Sequence, residues 1–152
     1  MNLPTLTKLL LTSLFLALAH SAPDSVSPND KYTNPLVKRG ELCHDTNYQD
    51  QGSLGSPSVE DCQGLADRID YNHKYGVSFK QRGLAKYNQC IIGFTAWGGT
   101  YSVGGGDLRR WINESIKKYG RDMGDGIKRV GSEGDVECGG VNMGTWGIYH
   151  TK

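Results

Sequence analysis

The stretch GGGDLRRWINESIKKYG, residues 104–120, carries a full helical period behind a run of glycines. Leu108, Trp111, Ile112, Ile116 and Tyr119 recur at three- and four-residue steps and make one apolar stripe, so the spacing predicts an amphipathic helix. Asp107 is the expected N-cap, because a short side-chain acceptor satisfies the first free amides, and Gly120 is the expected stop. A second helix is predicted upstream. Ser58 follows Pro57 as its N-cap, and Glu60 and Asp61 suit the positive end of the helix dipole. Val59, Cys62, Leu65, Ala66 and Ile69 make its buried face.

Around these helices the chain reads as short strands, at about Glu41 to Thr46, Val77 to Gln81, Cys90 to Trp97, Ile127 to Val130, Asp135 to Cys138 and Thr145 to His150. Glycine pairs separate many of them, as turns require. Strands outnumber helices and do not alternate with helical crossovers. The expected fold class is therefore α+β: a small disulfide-stapled sandwich of an antiparallel β-sheet covered by two α-helices. Trp97, Trp111 and Trp146 each fall on a predicted strand or on the helical stripe, which assigns them to the core or its edge.

Every glycine lies at or after Gly40, while four prolines, Pro4, Pro23, Pro28 and Pro35, lie before it. That change of composition marks a boundary. Lys8 precedes the apolar run Leu9 to Ala19, too short to span a bilayer as a helix but suited to a signal-peptide core, and the small residues Ala19 and Ser21 place the cut after Ser21. Residues 1–21 are read as a signal peptide. Residues 22–39 have almost nothing to bury and are read as a disordered pro-segment, ending in Lys38-Arg39 as a dibasic site for a kexin-type protease. Residues 40–152 form the single remaining domain, secreted and extracellular. No later run is apolar enough for a membrane span, so stable membrane insertion is not expected.

Cys43, Cys62, Cys90 and Cys138 all belong to that domain, and an even set in an oxidising compartment points to two disulfides. Three connectivities are open. Cys62 with Cys90 and Cys43 with Cys138 is favoured, because the second bond would tie the first strand to a late one. No C-x-x-C pair is present, which argues against zinc or a redox site. The full chain carries a net charge of +1, and removing Lys8, Lys31, Lys38 and Arg39 with Asp24 and Asp30 leaves the domain slightly acidic. A nucleic-acid partner gains no support from that balance.

The chemistry-bearing residues are dispersed. His44, His73 and His150 share no metal-ligand spacing, so neither metal nor other cofactor is expected. Glu133, Asp135 and Glu137 alternate along a predicted strand and would line one face, more simply a solvated face opposite Lys128 or Arg129 than an acid–base pair. The triple glycine lacks the lysine and hydroxyl residue of a phosphate cradle and is read as a turn. Arg109 and Arg110 follow closely on the helix start, where positive charge opposes the dipole, and are a candidate anion contact. Asn113-Glu114-Ser115 is an acceptor sequence for glycosylation at Asn113, off the apolar stripe.

The ordered series Asp61-Cys62, Cys90-Ile91-Ile92-Gly93-Phe94, Gly104 to Asp107 with Ile112 to Ile116, Gly134 to Cys138 and Trp146-Gly147-Ile148-Tyr149-His150 resembles one secreted fungal effector family. These are the homologues of the extracellular protein two of the leaf-mould fungus, also described as necrosis-inducing factors. The resemblance spans about Cys43 to His150, and departs from the family at the triple glycine followed by Arg109-Arg110. It implies a secreted virulence or cell-death-inducing effector of plants, with a fold similar to that of a virally encoded smut-fungus killer toxin. It carries no catalytic residues across.

Three function classes follow. The leading one is a monomeric, non-enzymatic effector that binds a host protein or cell-surface component. The second, resting on the fold likeness, is a killer-toxin-like antimicrobial protein acting on competing microbes. The third is a small secreted hydrolase such as a ribonuclease, using His44 or His150 with Glu133 or Glu137.

Overall fold

The computed structural model describes residues 40–45 and 47–151. The leader, the pro-segment, Lys38, Arg39 and Thr46 lie outside them. The first helix, α1 at Val59–Arg68, starts where the sequence places it: the Ser58 hydroxyl accepts from the Asp61 amide at 3.0 Å. It buries Cys62, Leu65 and Ala66, and Ile69 closes the stripe at the C-cap.

The second helix, α2 at Gly105–Tyr119, begins three residues earlier than expected. Gly104 is the N-cap. Asp107 is the third helical residue, and its carboxylate accepts from the Gly104 amide at 2.9 Å. The glycines are thus the cap and first turn of the helix rather than a turn preceding it, and the cause is close backbone approach. A β-carbon on Gly104 or Gly106 would strike the Gly40 carbonyl, and one on Gly105 the Asp70 carbonyl.

The strands are β1 (Cys43–Asp45), β2 (Gln49–Asp50), β3 (Lys74–Val77), β4 (Arg82–Tyr87), β5 (Cys90–Ala96), β6 (Tyr101–Gly104), β7 (Arg121–Asp122), β8 (Lys128–Arg129), β9 (Ser132–Cys138) and β10 (Asn142–His150). The main sheet is antiparallel and runs β1, β9, β10, β5, β4, with β2 also pairing to β9. Two small ladders, β3 with β6 and β7 with β8, complete the fold. The expected 77–81 strand is displaced. Its ladder with β6 spans Lys74 to Val77, and Val77 is the one residue of β3 that is buried.

Alternation along the sheet points Cys90, Ile92, Phe94 and Ala96 of β5, Val136 and Cys138 of β9, and Trp146 and Ile148 of β10 into one core. The register sets Trp146 beside Phe94 on one side and Gly134 on the other. A β-carbon at Gly134 would meet the Trp146 indole at 2.8 Å, so that position has to be glycine for the ring to lie flat. Trp111 of α2 stacks on Trp146 with centroids 5.5 Å apart, and it stacks on Phe94 as well at 6.0 Å. This column joins helix to sheet. Buried Ser115 donates to the Trp111 carbonyl and accepts from Ser132 of β9, each at 2.6 Å, which satisfies both hydroxyls inside the core.

Trp97 does not join them. It stands just past the end of β5 and is 52% exposed, so its assignment to the core or its edge is corrected. Counting by twos from Cys90 explains this, since odd-numbered residues of β5 face away from the core.

The disulfides join Cys43 to Cys138, 95 residues apart, and Cys62 to Cys90, 28 apart. Cys43 and Cys138 are direct partners in the β1–β9 register, so the first bond locks the sheet edge. The second fastens α1 to the start of β5.

Candidate interaction surface

One end of the sheet carries four of the six large apolar side chains that stand exposed among the described residues, Leu54 and Ile127 being on other loops. Gly144 of β10 lies opposite Ala96 of β5, and Asn142 of β10 lies opposite Cys138 of β9, so β5 and β9 end, and β10 begins, at the same place. Three further bonds draw the loops together there. The Ala96 amide donates to the Ser78 carbonyl at 2.9 Å, the Trp97 amide to the Met143 carbonyl at 2.8 Å, and the Tyr101 hydroxyl to the same carbonyl at 2.7 Å. Loops 78–81, 97–100 and 139–141 are thereby brought to one end of the fold.

Phe79 (64%), Trp97 and Val141 (83%) stand exposed on these loops, with Met143 beside them at the start of β10. Lys80 and Arg82, also exposed, follow Phe79 in sequence. Gly99, Gly139 and Gly140 have positive φ, as tight turns demand, and β-carbons built at Gly98, Gly99 and Gly140 meet nothing within 4 Å. The loops are open to solvent. Large apolar residues clustered at such a place are unfavourable in water unless something covers them.

Helix α2 places Arg109 and Arg110 in its second turn, not its first, so the electrostatic reason for an anion there is weaker than the sequence implied. Arg110 is committed inward. Its guanidinium donates to Asp107 at 3.0 Å and to the Cys43 carbonyl at 2.9 Å. Asp107 is fully buried and accepts from the amides of Leu42 (2.8 Å), Cys43 (3.2 Å) and Gly104. Burial pushes its carboxyl above the ordinary value, against the pull of those amides and of Arg110. The amides of Gly105 and Gly106 donate to the carbonyls of His73, Gly40 and Tyr71. Protein backbone therefore occupies the helix N-terminus.

The acidic residues of β9 do share a face, but their partners are not the expected cations. Glu133 accepts from Gln51 at 2.7 Å, and Asp135 from Asn47 and Thr145 at 3.0 Å each. Lys128 pairs across from Asp122, and Arg129 holds Asp125 at 2.6 Å and the Ser56 carbonyl at 2.9 Å. The register sets His44 opposite Glu137, whereas His150 pairs with Cys90 at the far end of the sheet. His73 packs edge-on against Tyr75. Among the described residues no three His, Cys, Asp or Glu side chains gather as metal ligands would. Asn113 is exposed, and its side chain accepts from Gln63 at 3.5 Å.

Of the residues singled out in the sequence, the structure joins the cysteines into the scaffold and leaves the histidines apart. The exposed loop cluster was missed, although the two-residue period of β5 signals it at Trp97.

A family model described as "Pathogen effector; putative necrosis-inducing factor" (Hce2) matches residues 42–138. A protein of Penicillium expansum named "Probable chitinase LysM18" is 31% identical over 118 residues, taking in 70% of this chain and 8% of that protein. The chain thus spans about 8% of the length of that curated relative.

Proposed function

The chain belongs to the Hce2 family of pathogen effectors, and from that premise we propose that it is a secreted, non-enzymatic effector that binds a host component through the apolar end of its sheet. The observation that carries the reading is the exposed cluster of Phe79, Trp97, Val141 and Met143. Aromatic and methionine side chains are enriched in the buried centres of interfaces, where their large areas leave water on binding. Two disulfides, stable in an oxidising compartment, favour an extracellular site of action.

The test is infiltration of the oxidised 40–152 domain into leaves of several plants, beside a Phe79→Ser/Trp97→Ala double variant and a reduced, alkylated control. Cell death that needs intact disulfides and is lost in the double variant supports the reading. Equal responses to the variant and the parent would remove the apolar loops from it.

A second reading is favoured by the likeness to part of a protein named as a chitinase: an antagonist of competing microbes, acting at chitin-bearing surfaces. Growth inhibition of fungi by the same preparation, with silence in every plant, would put it first.

A further inference from the structure

We propose that Asn113 is a site of N-linked glycan attachment that is modified before α2 forms and closed afterwards, because the hydroxyl completing its acceptor sequence becomes part of the core. The proposal goes beyond the effector reading and rests on entry into the secretory pathway. Asn113-Glu114-Ser115 is the one Asn-x-Ser/Thr run in the chain. In the transfer, Nδ2 of the asparagine bonds to the anomeric carbon of a lipid-pyrophosphate-linked oligosaccharide, the bond from that carbon to the pyrophosphate breaks, and one amide proton passes to a base of the transferase. The enzyme also reads the hydroxyl two residues on, so both side chains have to face it together.

In the folded domain they cannot. Residues two apart on a helix are turned about 200° from each other, so an exposed residue 113 puts residue 115 inside. Ser115 is fully buried, and its hydroxyl is engaged twice, by the Trp111 carbonyl and by the Ser132 hydroxyl at 2.6 Å each. Asn113 faces water. Its Oδ1 accepts from Gln63 at 3.5 Å, longer than a good hydrogen bond, and its Nδ2 has no partner among the described residues. Freeing Ser115 means opening α2, whose Trp111 and Ile112 are themselves fully buried, so the competent state is close to the unfolded one. For a stable small domain that state is populated at about one part in a thousand or less. A glycan already in place does not prevent the helix from closing, because Arg109 and Lys117, one turn to either side of Asn113, are themselves half-buried and exposed. The sugar would then stand over the helical layer beside Gln63 of α1. Occupancy of Asn113 thus records a race between transfer and burial of one hydroxyl.

The test presents the full chain to detergent-permeabilised endoplasmic-reticulum microsomes with a lipid-linked oligosaccharide, which removes any dependence on the chain's own leader. One sample is oxidised and folded, and one is reduced and alkylated. Glycan is read as a mass increase that peptide N-glycosidase reverses. The open chain should be modified at least about a thousandfold faster than the folded one. Asn113→Gln should abolish the modification of the open chain, while the oxidised variant melts at the parent's temperature. Equal rates for the folded and open chains would overturn the order of events. An open chain that takes no glycan, or one that takes it equally well as Asn113→Gln, would overturn the site itself.

Discussion

Replacing Asp107 by alanine tests the clamp that joins the start of the domain to α2. The carboxylate is fully buried and accepts from three backbone amides and the Arg110 guanidinium, spanning β1, the helix N-cap and the second helical turn. Alanine leaves those donors facing a void. A buried donor left unsatisfied costs about 1–3 kcal/mol, and removing one partner of a buried ion pair about 3–5 kcal/mol. These overlap in one site and do not add, so the expected loss is about 4 kcal/mol, a large part of the roughly 5–15 kcal/mol available to a small domain. In urea, with a slope of about 2 kcal/mol per molar, the midpoint of the oxidised domain should fall by about 2 M with the slope unchanged. Asp107→Asn should lose about half as much. It keeps one acceptor oxygen for Leu42 and Gly104 but turns a donor toward Cys43 and Arg110. A loss under about 1 kcal/mol for Asp107→Ala would refute the clamp.

Other expectations follow from the same structure. Trp111→Ala or Trp146→Ala should cost about 3–5 kcal/mol by emptying the stacked column, while Trp97→Ala should stay within about 0.5 kcal/mol, both read from denaturant midpoints. Serine replacement of both members of the Cys43–Cys138 pair should cost about 4.7 kcal/mol, and of the Cys62–Cys90 pair about 3.6 kcal/mol, from loops of 95 and 28 residues; equal losses would refute the loop-length account. Asp50 is held below its ordinary value by the Gly52 amide and Arg121, and Asp125 by Arg129 and the Ile127 amide. Depressed carboxyls stabilise the fold above their unfolded value of about 4 and lose that contribution as pH falls through their lower folded values. Amide protection in β7 and β8, taken relative to the intrinsic exchange rate at each pH, should therefore fall below about pH 4, and Asp50→Asn with Asp125→Asn should flatten that dependence.

Both helices were legible because a 3.6-residue stripe long enough to read survives in each, and Ser58 is a local cap that needs no tertiary knowledge. The start of α2 was not. Gly104 to Gly106 look like a turn until the carbonyls of Gly40 and Asp70 are seen against them, and that approach is made by residues more than thirty positions away in sequence. Asp107 was read as a cap for the same reason, since its partners Leu42 and Cys43 are equally remote. β4 escaped notice as an edge strand whose half-buried Leu84, Ala85 and Tyr87 break strict alternation beside a register shift. Ser115 lies on the apolar stripe but is polar, and only Ser132 across the core accounts for it. The candidate surface was the least legible part. Exposed tryptophan on a strand-like run reads as core unless the parity of Cys90, Ile92, Phe94 and Ala96 is carried one residue further.

That parity separates two kinds of apolar residue, and the separation bears on where function resides. Trp111, Trp146 and Phe94 are needed for packing: each is buried and stacked, and the transfer of their rings from water is part of what drives folding. Phe79, Trp97 and Val141 gain little from the fold, because more than half of each stays in water. The loops of Trp97 and Val141 turn on glycines with open space around them, and Phe79 is 64% exposed, so polar residues could replace all three with little loss of stability. Stability therefore does not explain their presence. Association would, on the proposed reading, since burying such side chains against a partner returns about 25 cal/mol for each Å² of apolar surface. A rigid sheet end, locked by the Cys43–Cys138 bond at its edge, lets that return be realised without the entropy loss of first ordering the scaffold.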